Sequence, residues 1–96
     1  MPLRITPETI IRRTASALWR SFDQETAVIL PTASAVRVLN EVGARVWELA
    51  DGRRFGEIID TLVNEYDVER TQLELDAIVF LSELHGRGLL EDPAEK

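Results

Sequence analysis

Two hydrophobic periods divide the chain. Up to about residue 39 the apolar positions alternate or cluster in short β-branched runs; beyond Asn40 they recur at helical spacing. Between Ala15 and Phe22, Leu18 and Phe22 share one parity with Ser16 and Arg20, while Ala17 and Trp19 take the other. Asp23-Gln24-Glu25 is a polar break of hairpin length. The run from Thr26 to Leu30 is apolar and ends at Pro31; Thr32-Ala33-Ser34 makes a second break, and Val36-Arg37-Val38-Leu39 alternates again. This pattern predicts three short strands joined as an antiparallel meander, the third spanning Ser34 to Leu39. Residues 1–13 carry Pro2 and Pro7 and no clear period, and read as an extended or mobile lead-in.

The remainder predicts three helices. Val42, Val46, Leu49 and Ala50 fall on one helical face with Trp47 beside them; Asn40 is placed as the N-cap and Asp51-Gly52 as the stop. Phe55, Ile58, Ile59, Leu62, Val63 and Tyr66 form a second amphipathic stripe. Glu69 with Gln72 resembles a capping box for a third helix from about Arg70 to His85, ended near Gly86 or Gly88. The expected organisation is an α+β domain over residues 14–90, a meander of three strands followed by three helices, with a polar tail at 91–96.

The third helix carries apolar residues on two sides. At about 100° per residue, Leu73, Ala77, Phe80, Leu81 and Leu84 form one stripe. Leu75, Ile78 and Val79 lie roughly opposite with Ser82, bordered by Asp76 and Glu83. Two readings fit. The second stripe packs on the sheet, or it stays partly exposed as one wall of a partner groove. The third strand supplies the other wall, because the last strand of a meander has an unpaired edge and Val36 and Val38 carry no device that blunts it.

Composition narrows the function classes. The 96 residues contain no cysteine and one histidine, which removes disulfides, thiolate nucleophiles and cysteine-based zinc or iron–sulfur sites. No nucleophile–base pair or cofactor motif is visible, so no enzyme activity, metal or cofactor is expected. His85 reads as a partner of the terminal helix carbonyls. No apolar run reaches the length of a membrane span, and the chain is read as cytoplasmic with no membrane partner. Five arginines against three acids give Met1–Asn40 a charge of +2, so the remainder carries −8 of the total −6. A third helix with Glu74, Asp76 and Glu83 is poorly suited to phosphate, which disfavours a winged-helix DNA-binding role. A homodimeric accessory subunit closing its own edge strand is the other competing reading.

Leu39 to Gly52, LNEVGARVWELADG, resembles the corresponding segment of the PqqD-like family, named for the D component of pyrroloquinoline quinone biosynthesis and also called the precursor-peptide recognition element. Glu57-Ile58 with Leu62, Glu65-Tyr66-Asp67-Val68, Asp76, Phe80-Leu81, Leu84 and Gly88-Leu89-Leu90 follow in the family's order. The resemblance covers about Ala15 to Leu90 and implies a small winged-helix-like fold of three strands and three helices that serves as a non-catalytic peptide chaperone. Such a domain holds the leader of a ribosomally made precursor peptide as an added strand. It presents the leader to a modifying enzyme, such as a radical S-adenosylmethionine enzyme or a leader peptidase. Carried onto this chain, the strand wall is Val36, Arg37 and Val38, and the helix wall is Leu75, Ile78, Val79 and Ser82 with Asp76 and Glu83 as charged neighbours. The acidic surroundings lead us to expect Lys or Arg of the leader near Asp76 and Glu83. The chain departs from the family at Thr32-Ala33-Ser34-Ala35, where Gly or aromatic residues are common, and at Arg54-Phe55-Gly56, where a Ser or Thr cap is common.

Overall fold

A computed structural model describes residues 4–23, 25–29, 36–92 and 94–95. In chain order the elements are β1 (Thr9–Arg12), β2 (Leu18–Phe22), β3 (Glu25–Ile29), β4 (Val36–Leu39), α1 (Glu41–Leu49), β5 (Asp51–Arg54), α2 (Phe55–Glu65), α3 (Arg70–Gly86) and β6 (Ala94–Glu95). The predicted meander is β2-β3-β4, antiparallel throughout, and the three helices follow it in order. Trp19 pairs with Val28 and Val28 with Arg37; Thr26 pairs with Leu39 and Ile29 with Val36. Asp23 turns the first hairpin at φ 53°, a left-handed conformation that Asp tolerates. Leu30, Pro31, Thr32, Ala33, Ser34 and Ala35, where the second break and the start of the third strand were expected, lie outside the described residues.

A second sheet, ordered β5-β1-β6, goes beyond what the hydrophobic pattern predicts. Residues 9–12, inside the expected lead-in, form its central strand, which sinks Ile11 and Thr9 into the interior. Asp51-Gly52 does follow the end of α1, but it also opens β5, paired to β1 with a bulge between Ile11 and Arg12. Gly52 sits at φ +108°, and a Cβ there would fall 2.4 Å from an Arg12 guanidinium nitrogen, so only glycine fits this crossing without displacing Arg12. The tail contributes β6, paired to β1 at Thr9 and Ile10.

Each helix is fixed at its start by a side chain. The Asn40 Oδ1 accepts the Gly43 N–H at 2.9 Å, as its sequence position predicts. The Glu57 carboxylate accepts the Arg54 N–H at 3.0 Å, so the cap of α2 comes from inside the helix and needs no Ser or Thr before it. Glu69 accepts the Thr71 and Gln72 N–H groups at 2.6 and 3.3 Å, while the Gln72 amide donates to Asp76 instead of reaching back.

Between the helices and the inner face of the meander lies one core. Trp47, Leu49, Ile58, Ile59, Leu62, Leu81 and Leu84 are buried with Val28 of β3 and Ile11 of β1. Each such side chain contributes about 1.5–3 kcal/mol by leaving water. Trp19 stands edge-on to Trp47 with ring centroids 6.2 Å apart. The Arg13 guanidinium lies 5.0 Å from the Trp19 ring and donates to the Trp47 and Glu48 carbonyls at 2.7 and 2.9 Å, closing the end of α1. His85 is 2.6 Å from the Asp92 carboxylate, a partner beyond the helix rather than the terminal carbonyls.

Candidate functional site

β4 is hydrogen-bonded to β3 along one side; among the described residues no strand pairs with its other side. Its N–H and C=O groups there are available to a further strand. Side chains alternate across it. Leu39 is buried on the inner face, and Arg37 shares that parity; Val36 and Val38 point outward, 57% and 54% exposed. The same outward face carries Ile29, Leu18 and Phe22, all exposed.

On α3 the two apolar stripes separate physically. Leu73, Ala77, Leu81 and Leu84 are buried, with Phe80 packed at their margin. Of the second stripe, Ile78 is half-buried against the core and Ser82 half-buried, while Leu75 and Val79 stand in solvent at 57% and 65% exposure. Packing on the sheet therefore does not account for Leu75 and Val79. They remain as exposed apolar surface on a helix that already satisfies the core.

One ion pair joins strand and helix. The Arg37 guanidinium donates to the Glu83 carboxylate at 2.6 Å, and Arg87 lies 3.6 Å from the other oxygen of the same carboxylate. The alternation of β4 explains why Arg37, and not Val36 or Val38, meets α3. Glu83 is thus committed to two guanidinium groups. Asp76, exposed, accepts from the Gln72 amide at 2.9 Å and pairs with no cation among the described residues. Arg37 Nε is buried with no hydrogen-bond partner among the described residues.

Sequence reasoning missed a half-open cleft of about 490 Å³ between α1 and α3. It is lined by Val42 and Val46 of α1 and by Leu73, Asp76, Ala77 and Phe80 of α3. Phe80, read as an ordinary member of the core stripe, instead borders this space beside α1. A Cβ on Gly43 would come within 3.3 Å of its ring, so the two helices approach closely there. The cleft depends on helix spacing, which the sequence pattern does not encode.

The arginines flanking α3 are paired: Arg70 with Asp60 and Glu74 at 2.7 and 3.5 Å, Arg87 with Glu83. This helix presents carboxylates and apolar groups where a DNA-reading helix presents cations. No helix among the described residues is long and apolar enough to cross a membrane.

The sequence model of the family described as coenzyme PQQ synthesis protein D (PqqD) matches residues 26–90. That span contains β4, the helices and every residue of both walls. No curated protein matches the sequence. Among solved structures, that of TbiB1 in complex with the TbiA(beta) leader peptide is similar at 30% identity and a TM-score of 0.80, covering 88% of this chain and 99% of that one.

Proposed function

The chain belongs to the PqqD family, and on that premise we propose that it is a non-catalytic carrier for the leader segment of a ribosomally made precursor peptide. The leader adds as a strand to the open side of β4 and rests against α3. The observation that carries this reading is the side of β4 left unpaired among the described residues, on a strand tied by Arg37–Glu83 to a helix whose Leu75 and Val79 are exposed although its core face is complete. The likeness to TbiB1, whose structure holds a leader peptide, supports the same partner class.

Magnitudes say how the affinity divides. A four-residue edge offers the N–H and C=O of alternate residues, about four hydrogen bonds at roughly 1 kcal/mol net each. That sum corresponds to about millimolar binding, and every further tenfold takes about 1.4 kcal/mol. Useful affinity must then come from side chains. Leader residues facing inward meet Arg37, Glu83, Ile78, Val79 and Ser82; those facing outward extend the apolar face of Val36 and Val38. Because Glu83 is already paired, a basic leader residue is directed to Asp76. An antiparallel leader continues the sense of the meander. The bound leader is then presented to a modifying enzyme, of the radical S-adenosylmethionine or leader-peptidase kind that the family resemblance implies.

The test is isothermal titration with the precursor peptide encoded beside this chain's gene. Saturable binding that weakens about tenfold or more in Val79→Asp supports the reading. No heat of binding, or an affinity untouched by Val79→Asp in a folded variant, contradicts it. Light scattering on the same samples identifies the competing homodimer, which would double the mass without peptide.

A further inference from the structure

Arg37 is the one charged residue of β4, and its donors are only partly engaged. Nη2 donates to Glu83 at 2.6 Å, but Nε is buried with no acceptor among the described residues. A buried donor left without an acceptor is costly and uncommon. The Glu83 carboxylate is shared, because Arg87 stands 3.6 Å from its other oxygen. Two guanidinium groups against one carboxylate leave a net +1 at this point, in a chain that carries −6 overall.

Strand geometry says what would meet this charge. A strand added along the open side of β4 sets one of its side chains directly across from Arg37 and on the same face, with Cβ atoms about 4.5–5.5 Å apart. The residues before and after it point the other way, beside Val36 and Val38. Val79 lies one turn before Glu83 on the same side of α3. A strand lying over Val79 thins the water around the charges, which strengthens their pull on an ion of opposite sign. Asp76 lies seven residues before Glu83, about 10 Å along the helix, so the two guanidinium groups and the Asp76 carboxylate address different leader residues.

Building on the strand-addition reading above, we propose that Arg37, with Arg87 beside it on Glu83, is a carboxylate subsite: the leader residue across from Arg37 is Asp or Glu. The guanidinium carries donors on separate nitrogens, so Arg37 holds Glu83 through Nη2 and the leader carboxylate through Nε. The added carboxylate also balances the second guanidinium. Ser, Thr or Asn at this position satisfies the donor but leaves the charge, and Lys adds to it. The edge of β4 accepts backbone of any sequence and tolerates a slipped pairing. The Arg37 contact fixes which leader residue stands opposite it, and a slip by one residue carries the carboxylate to the outward face.

The test is a charge scan. The precursor peptide encoded beside the gene is made with each leader position in turn replaced by Asp and by Lys, and every peptide is titrated calorimetrically against the full chain. One position should bind about tenfold or more tightly as Asp than as Lys, with no such preference at the positions on either side. In Arg37→Gln the preference at that position should fall to about one; in Glu83→Gln, which leaves both guanidinium groups unbalanced, it should widen. The Arg37–Glu83 and Arg87–Glu83 pairs are more than a third exposed, so both variants keep their fold. In the labelled chain, the Arg37 Nε–H resonance should shift on adding the Asp peptide and stay in place with the Lys peptide. A scan without an Asp-preferring position, or a preference that survives Arg37→Gln, overturns the subsite. If binding still weakens in Val79→Asp while charge makes no difference, strand addition stands and only the subsite falls. A peptide that fails to bind the unaltered chain overturns both.

Discussion

α2 and α3 pack into the same core but distribute their apolar residues differently. On α2, Phe55, Ile58, Ile59 and Leu62 are all buried on one face, and Glu57, Asp60 and Asn64 occupy the other. α3 completes its own core face with Leu73, Ala77, Leu81 and Leu84, then adds Leu75 and Val79 in solvent. Folding explains every large apolar residue of α2 and leaves two of α3 unexplained. Exposed apolar side chains that do nothing for the core, beside a strand edge that no other described strand pairs with, are what the proposed leader contact rests on.

The largest effects should separate these two classes of residue. Leu62→Ala in α2 and Leu84→Ala in α3 should each cost about 2–5 kcal/mol of unfolding free energy, read from denaturant midpoints. Val79→Ala and Leu75→Ala should stay within about 0.5 kcal/mol of the unaltered chain. If Val79→Ala cost as much as Leu84→Ala, the stripe would be structural and the contrast between the helices would collapse. Asn40→Ala should cost about 1 kcal/mol by removing the cap of α1, with thermal unfolding as the readout. The Arg37–Glu83 pair is partly exposed, so Glu83→Gln should change stability by no more than about 1 kcal/mol. Its effect on leader binding, measured by calorimetry, should be the larger one.

The smallest effect is a pH dependence far from the groove. Arg45 grips Glu65 through two hydrogen bonds of 2.8 and 2.7 Å and holds that carboxyl below its ordinary value of 4.5. The folded carboxyl is the stronger acid, so the pair's contribution is complete above about pH 4.5 and fades as the pH falls through the lowered value. Both side chains are about a third exposed, which keeps the contribution under about 1 kcal/mol. Glu65→Gln should flatten this acid limb by removing the pair's contribution at neutral pH, a loss under about 1 kcal/mol, and leave stability at the acid end unchanged.

The meander, the three helices and the double character of α3 were legible because each repeats a period over several residues. Asn40 was legible as a cap because its side chain acts on a backbone group three residues away. β5 was not, since Asp51-Gly52-Arg53-Arg54 has neither alternation nor β-branched residues and is a strand only because β1 lies beside it. Arg37 was placed in the strand wall by resemblance, but its pairing with Glu83 needed the strand's register and the position of α3 together. That pairing also redirects the expected basic leader residue from Glu83 to Asp76. The cleft between α1 and α3 left no trace in the pattern, because Phe80 has the same spacing as a core residue and lines the gap only through its position beside Gly43.

The central claim is that a peptide becomes the next strand beside β4. Amide hydrogen exchange, read residue by residue with and without saturating precursor peptide, tests it most directly. The account predicts that alternate amides of Val36–Leu39, those facing away from β3, gain strong protection while the amides of β2 do not change. Tight peptide binding with exchange along β4 unchanged would contradict it.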